Sequence, residues 1–198
     1  MTRPARHPAA DVRERVVDAA DTLFYERGIQ SVGMDAVREA AGVSLKRIYS
    51  LFGSKDELVA AVLRRRSEVW DAGLASAIRP TMTARERLLA IFDFLDAWFR
   101  EPNFRGCGFI NAYGELSSGS PAVGAVVRAH KHAFGEYVAR LVAEAGAPPE
   151  LAPQIAILAE GAQTTAAIAG NPASARQARA AAQALLDSAA VNTRHDAD

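Results

Sequence analysis

Apolar residues recur at spacings of three and four along almost the whole chain, and this periodicity constrains the fold more than any other feature. Such spacing places apolar side chains on one face of an α-helix. In the first predicted helix, which ends at Gly28, that face carries Val12, Val16, Ala19, Ala20, Leu23 and Phe24. No segment of the sequence alternates apolar and polar residues as a half-buried strand does. The sequence therefore predicts an all-α fold.

Capping and turn residues divide the chain into nine predicted helices. Ser44, Ser54 and Asn171 can each accept a hydrogen bond from the free amides at the start of a helix. Asp11 with Glu14 resembles a capping box at the start of the first helix. The predicted helices span residues 12–28, 34–41, 45–52, 55–77, 84–100, 107–117, 121–145, 150–169 and 173–192.

The composition excludes several classes of protein. A chain of 198 residues with 49% hydrophobic residues can bury the core of one large or two small domains, which argues against disorder. The single cysteine cannot form an internal disulfide or a cysteine-based zinc site. No apolar run is long enough to span a membrane, and no signal peptide is evident. We therefore expect a cytoplasmic protein that does not contact a membrane.

The net charge of zero hides an asymmetry between the two ends of the chain. Residues 1–66 contain 12 Lys and Arg against 9 Asp and Glu, and residues 67–198 contain 11 against 14. The small basic excess falls in the first third of the chain, where it favours an anionic partner such as nucleic acid.

The clearest functional pattern lies between Gly28 and Glu57. Two short predicted helices joined by residues 41–44 form a helix-turn-helix, in which Gly42 suits a turn position with positive φ. The second helix of such a motif places its N-terminal side chains at base edges in the major groove. Candidate DNA-contacting residues lie on this helix and at the flanking helix starts: Gly33, Ser44, Leu45, Lys46, Arg47, Tyr49, Ser50 and Lys55.

Chemistry assigns roles to four of these side chains. Lys46 and Arg47 can contact guanine edges or phosphates, and Tyr49 can reach a phosphate. Lys55 stands at a helix start, where free amides already favour an anion. The run of residues 64–66, three arginines, lies about three turns into the fourth helix and is interpreted as a solvated face.

Three segments carry a resemblance to a known family: residues 42–44 (Gly-Val-Ser), 48–52 (Ile-Tyr-Ser-Leu-Phe) and 53–58 (Gly-Ser-Lys-Asp-Glu-Leu). This composite resembles the DNA-binding segment of the TetR family of bacterial repressors, over about residues 11–63. Three features depart from the family pattern. Gly33 lacks the hydroxyl that Ser or Thr provides there, and Leu51 cannot hydrogen-bond a phosphate as His or Tyr would. The small residue common near Lys46 is also absent, so we expect this chain to read its own operator sequence.

The resemblance implies an architecture and a mechanism. We expect a flexible arm at 1–10, a helix-turn-helix domain at 11–53, a helical regulatory and dimerisation domain at 54–193 and a flexible tail at 194–198. We expect a homodimer to form through the last two helices and to bind a palindromic operator in double-stranded DNA, since one short recognition helix reads few base pairs. We expect a small, largely apolar inducer to release the repressor from DNA.

Aromatic and polar residues of the second half are candidates for the ligand site. A largely apolar cavity with a few polar groups is typical of small-molecule sites. The candidate residues are Trp70, Phe94, Trp98, Phe104, Cys107, Phe109, Asn111, His130, Phe134, Gln163 and Thr164. His130 is either a hydrogen-bonded core histidine or a polar group in this site. We expect no metal, because His130 and His132 do not share a helix face, and no cofactor.

Two alternatives to a ligand-responsive repressor remain open at this point. Cys107 precedes a predicted helix and has Arg105 nearby, which would favour a thiolate and a redox- or electrophile-sensing role. A small buried cysteine would fit the same position. The chain could also be a helical-bundle interaction protein with no role on DNA. None of the common catalytic motifs is present, so we do not expect an enzyme.

Overall fold

A computed structural model of the chain describes the secondary structure of residues 8–195 and the side chains of residues 12–190. These residues form nine α-helices and no strand, which confirms the all-α prediction. The helices are α1 (Pro8–Arg27), α2 (Met34–Ala41), α3 (Leu45–Phe52), α4 (Lys55–Ala77), α5 (Ala84–Trp98), α6 (Gly108–Leu116), α7 (Pro121–Glu144), α8 (Leu151–Ala169) and α9 (Ala173–His195). Over the described ranges, no helix is both long and apolar enough to cross a membrane.

Most helix ends lie within a few residues of their predicted positions because the capping side chains are visible in the sequence. At the start of α5, the hydroxyl of Thr83 accepts from the amide of Glu86, whose carboxylate accepts in return from the amide of Thr83. The start of α1 differs from the prediction. The helix begins at Pro8, inside the predicted arm, because a prolyl ring fits the first turn of a helix. Similarly, α9 reaches His195, inside the predicted tail. Residues 1–7 and 196–198 of these segments lie outside the described residues.

The described residues pack into two compact units. Unit 1 contains the described residues up to Ser67 together with Gly108–Arg128, and unit 2 contains Glu68–Cys107 and the described residues from Ala129 onward. The boundary expected at residue 53 therefore falls inside unit 1, which also includes the first half of α4 and all of α6.

Helices α1, α2 and α3 form a three-helix arrangement in unit 1, with α2 packed on both of its neighbours. Its core contains Val16 of α1, Val37 of α2, and Ile48 and Phe52 of α3, all buried. These residues lie on the apolar faces that the spacing of three and four predicts.

Unit 2 is built on α5, α8 and α9, which pack against one another. Its core includes Leu88, Ile91, Phe92, Leu95, Val138, Leu141, Ile155 and Leu186. Alanines at positions 159, 162 and 166 of α8 and at 175, 178 and 182 of α9 are also buried there. Their small side chains allow close packing of the helices.

Candidate functional site

The turn between α2 and α3 fixes the direction of α3. Gly42 adopts φ 64° and ψ 39°, a left-handed conformation that glycine tolerates without strain. Its amide donates to the carbonyl of Glu39, and the amide of Val43 donates to that of Arg38, so the end of α2 is capped by the turn itself. Two residues later, the Ser44 hydroxyl accepts from the amide of Arg47 at 3.2 Å and starts α3.

Helix α3 presents one buried and one exposed face. Ile48 and Phe52 are buried, whereas Lys46, Arg47 and Tyr49 are exposed, with 44% of Tyr49 accessible. Of the other predicted contact residues, Ser44 and Ser50 are exposed and Leu45 is half-buried. The predicted DNA-contacting residues of this helix thus share its outward side.

The outward side chains differ in whether they already have partners. The Ser50 hydroxyl donates to the carbonyl of Arg47 at 2.8 Å, so it is bonded to its own helix. Among the described residues, no hydrogen bond or ion pair holds the charged groups of Lys46 and Arg47. Two neighbouring cations without acidic partners are therefore available to an external anion.

Gly33 and Lys55, the two predicted contact residues that flank the helix-turn-helix, have different surroundings. Gly33 caps the start of α2 with extended backbone and no side-chain hydrogen bond, in keeping with the missing hydroxyl noted from the sequence. The ammonium of Lys55 donates to the carbonyls of Ile29 and Val32, each at 2.6 Å, and lies 5.8 Å from the ring centre of Phe24. Lys55 therefore joins the loop after α1 to the start of α4, which sequence reasoning did not foresee.

The environment of Lys55 is electrostatically mixed. Burial lowers the pKa of its ammonium, while the nearby carboxylates of Glu115 and Asp56 act in the opposite direction. Two of its three donors are used inside unit 1. A contact of this side chain with a phosphate stays a prediction.

Helix α6 is joined to the loop between α1 and α2 by polar contacts that the sequence does not reveal. The carboxylate of Glu115 accepts from the amide of Gln30 at 2.8 Å, and the Gln30 side chain donates to the Glu115 carbonyl at 2.5 Å. Gly28 ends α1 with φ +84°, a backbone conformation that other residues rarely adopt, and so directs the chain toward Gln30.

The arginine run of α4 is more than a solvated face. Arg65 pairs with Asp18, and Arg66 pairs with Asp21 while its guanidinium lies 3.9 Å above the ring of Tyr25. Asp18 and Asp21 are three residues apart on α1 and so lie on one helix face. That spacing is the sequence signal that could have indicated these pairs.

An aromatic cluster in unit 2 unites five of the predicted ligand residues. The ring centre of Trp70 lies 5.2 Å from Phe94, 5.8 Å from Trp98, 5.9 Å from His130 and 5.8 Å from Phe134, always edge to face. A sixth predicted residue, Phe104, extends the cluster by packing 5.0 Å from Trp98. Edge-to-face contacts of this kind are favourable beyond their buried area. We call these six residues the aromatic cluster.

His130 is the ionisable member of this cluster. Burial lowers the pKa of its imidazole from 6.5 to about 4, and the neighbouring charge of Lys131 acts in the same direction. The imidazole is therefore neutral at physiological pH. Across the described residues, no group of three His, Cys, Asp or Glu side chains is arranged to hold a metal ion.

The polar candidates of unit 2 occupy different environments. Gln163 is 1% exposed, and its side-chain amide donates to the carbonyl of Ala159 at 3.3 Å. Thr164 is exposed and donates to the carbonyl of its own helix at Glu160. Cys107 is 5% exposed, and the ammonium of Lys131 lies 3.4 Å from its sulfur.

Two predicted ligand residues belong to unit 1. Phe109 is buried there, and Asn111 is exposed at the wall of a cavity of about 130 Å³. This cavity lies among residues of α1, α4 and α6, including Phe24, Val59 and Leu63. A ligand role for Phe109 and Asn111 stays a prediction.

The outer side of α8 and α9 is apolar. A shallow groove of unit 2 is lined by Gln154, Ile157, Leu158, Ala181, Ala184 and Leu185. Ile157 is 69% exposed and Ile168, on the same helix, is 83% exposed. The two side chains are about three turns apart and so lie on one side of α8. Exposed large apolar side chains that share a helix face often mark an interaction surface.

Two family profiles match separate segments of the chain. The family profile "Bacterial regulatory proteins, tetR family" matches residues 16–62. The profile "Tetracyclin repressor-like, C-terminal domain" matches residues 84–182, which is half of the chain.

Individual relatives agree with these profiles. The chain is 38% identical over 98 residues to the transcriptional activator FasR of Mycolicibacterium smegmatis, covering 48% of this chain and 45% of that protein. It is 34% identical over 111 residues to the regulator TtgR of Pseudomonas putida, covering 52% of each. The chain thus spans about half the length of these relatives.

A solved structure matches nearly the whole fold. SCO4454, a TetR-family transcriptional regulator from Streptomyces coelicolor, superimposes with a TM-score of 0.83 at 27% identity, covering 91% of this chain and 96% of that one. The helix-turn-helix geometry, the two profiles and this match agree with one another. The chain belongs to the TetR family of helix-turn-helix transcriptional regulators.

Proposed function

We propose that this regulator is a homodimeric repressor that binds a palindromic operator through α3 and leaves it when a small, largely apolar ligand binds unit 2. The observation that carries the DNA contact is the outward face of α3. There Lys46 and Arg47 lie side by side on a helix whose start is fixed by the Gly42 turn and the Ser44 cap. Cations at the start of a recognition helix suit guanine edges and phosphates.

The apolar outer side of α8 and α9 supports dimerisation. Ile157 and Ile168 would leave water on contact with a second copy, and alanines along α9 would allow a close approach. Two copies supply two recognition helices, which a two-fold symmetric operator requires.

The aromatic cluster supports the ligand site. Five of its six members are aromatic rings without a charge, and its ionisable member His130 is neutral at physiological pH. A ligand that binds better to the dimer conformation with mismatched recognition helices shifts the protein to that conformation and releases DNA. On this proposal the chain acts in the cytoplasm with the DNA it controls, and it catalyses no reaction.

Operator affinity tests the DNA part of the proposal. Duplexes bound by the purified dimer are first selected from random sequence, and their affinity is then measured by anisotropy at several salt concentrations. Arg47→Ala should weaken binding by about 1–3 kcal/mol because it removes a base or phosphate contact. Arg79→Ala is the matched control, since Arg79 is exposed in the loop before α5. Equal affinity of the two variants, or no selected site, would contradict the proposal.

A second candidate for the input signal is the thiol of Cys107. The observation that favours it is the Lys131 ammonium at 3.4 Å from the sulfur, itself paired with Glu160 at 2.6 Å. If the thiol is the input, Cys107→Ser binds the operator but no longer responds to a thiol-alkylating agent. A variant that keeps its full response would remove this candidate.

A further inference from the structure

The side-chain oxygen of Gln163 is a buried hydrogen-bond acceptor that lacks a donor. Gln163 is 1% exposed, and its Nε2 group donates to the carbonyl of Ala159. Its Oε1 atom has no hydrogen-bond partner among the residues that the structure describes. Buried polar atoms of native proteins are nearly always paired, so an unpaired one calls for an explanation.

Helix geometry places Gln163 on the face of α8 that is turned toward the core. Ala159, Ala162 and Ala166 all belong to the buried core of unit 2. Together with Gln163 they follow the spacing of three and four that defines one helix face. The Gln163 amide is therefore surrounded on its own helix by methyl groups, which cannot donate to Oε1.

The same core receives the aromatic cluster. Trp70, Phe94, Trp98 and Phe104 are partly buried and pack against the residues that include these alanines. Lys131, the residue after His130 of the aromatic cluster, donates to the carboxylate of Glu160, which is one turn before Gln163 on α8. The cluster and the unpaired acceptor therefore belong to the same core. A planar apolar molecule would find both ring contacts and one acceptor there.

The ionisable groups at this place offer no net charge to a ligand. Lys131 is paired with Glu160, one turn before Gln163 on α8, at 2.6 Å. The desolvated imidazole of His130 is neutral at physiological pH. A charged ligand would lose its hydration without gaining an unpaired counter-ion.

We infer that the ligand of unit 2 is a neutral aromatic molecule that carries a hydrogen-bond donor, such as a phenol, and that Gln163 Oε1 accepts its hydrogen bond. Gln163 is then the residue that determines specificity for the donor. The inference rests on the proposed function, because it takes unit 2 to be the place where a ligand binds.

The chain provides its own reporter for this site. Its two tryptophans are Trp70 and Trp98, and both lie in the aromatic cluster, 5.8 Å apart. Their fluorescence, excited at the red edge where simple phenols do not absorb, therefore reports on this cluster alone. The full chain is titrated without DNA, so the result does not depend on operator binding.

The test compares three ligands of nearly equal shape: para-ethylphenol, its methyl ether and para-ethylbenzoate. The phenol should bind about tenfold more tightly than the ether, which lacks the donor. The carboxylate should bind more weakly than either. The same three substituents on a fused-ring molecule, with affinities measured by calorimetry, repeat the comparison for a larger ligand.

Gln163→Met removes the acceptor at similar side-chain length. In this variant the preference for the phenol over the ether should fall to about one, with the affinity for the ether unchanged. Gln183→Met is the control, since it makes the same substitution at an exposed position of α9, and it should keep the tenfold preference.

Three results would overturn the inference: equal binding of phenol and ether to the unaltered chain, an unchanged preference in Gln163→Met, or no binding of any neutral aromatic. If Gln163→Met does not fold, the comparison of phenol and ether on the unaltered chain still tests the inference. If the phenol binds as expected but does not change operator affinity, the inference about the ligand holds and the proposed release mechanism fails.

Discussion

The substitution of Lys55 tests how the start of α4 contributes to DNA binding. The position of Lys55 at a helix start predicts a phosphate contact, whereas its ammonium donates to the carbonyls of Ile29 and Val32 at 2.6 Å. We predict that Lys55 supports DNA binding mainly by holding the loop between α1 and α2. The substitution Lys55→Met removes the charge and keeps an apolar stem near Phe24.

The magnitude follows from the two lost hydrogen bonds. A hydrogen bond from a charged donor contributes roughly 1.5–3 kcal/mol to stability. Part of this is recovered, because the ammonium no longer has to be desolvated and both carbonyls can take up water. We therefore expect Lys55→Met to lower the free energy of unfolding by about 2 kcal/mol, measured by denaturant titration.

The salt dependence of operator binding separates the two roles of a lysine. A side chain that neutralises one phosphate contributes about 0.9 to the slope of log K against log salt. Lys46→Met, the control on the exposed face of α3, should reduce the slope by about this amount and leave stability unchanged. Lys55→Met should reduce affinity and stability with a smaller change of slope.

One result would refute this reasoning about Lys55. If Lys55→Met unfolds at the same denaturant concentration as the unaltered chain and lowers the slope as much as Lys46→Met does, its ammonium binds phosphate directly. The hydrogen bonds to the two carbonyls would then contribute nothing to the free energy of unfolding.

Two further predictions concern unit 2. Burial lowers the pKa of His130 from 6.5 to about 4, so the unfolded chain binds the proton at a higher pH than the folded chain does. The free energy of unfolding should therefore fall as pH decreases from 6.5 to 4, by at most about 3 kcal/mol. The variant His130→Phe should make the free energy of unfolding nearly independent of pH over this range. The exposed control His132→Phe should keep the pH dependence. Equal pH profiles for the two variants would contradict the assignment of this dependence to His130. Ile157→Asp should convert the dimer to a monomer in sedimentation equilibrium, whereas Val69→Asp, which alters another exposed apolar residue, should not. A dimeric Ile157→Asp variant would place the interface elsewhere.

The sequence predictions that the structure confirms depend on interactions between residues that are close in sequence. Caps such as Ser44 and Thr83 act on amides three residues away, so the helix starts that they define could be read from neighbouring positions. The turn at Gly42 and the buried face of α3 are local in the same sense. The family profiles also exclude the interpretation of the chain as a bundle with no role on DNA.

Contacts between distant segments could not be read in this way. Gln30 and Glu115 are 85 residues apart in sequence, and their hydrogen bonds exist only because α6 packs within unit 1. For the same reason, the sequence could not show that Phe109 and Asn111 belong to unit 1. The predicted start of α1 failed for another reason, since Asp11 offers a cap while Pro8 already fits the first turn.

The central claim is that two copies of α3 read a two-fold symmetric site and that ligand binding in unit 2 ends this contact. Hydroxyl-radical footprinting on a selected operator tests it most directly, with and without para-ethylphenol. The account predicts two symmetric protected half-sites whose centres lie about 34 Å, one helical turn, or a multiple of this apart, and their loss when the ligand is added. A single asymmetric footprint, or one that persists at saturating ligand, would contradict it.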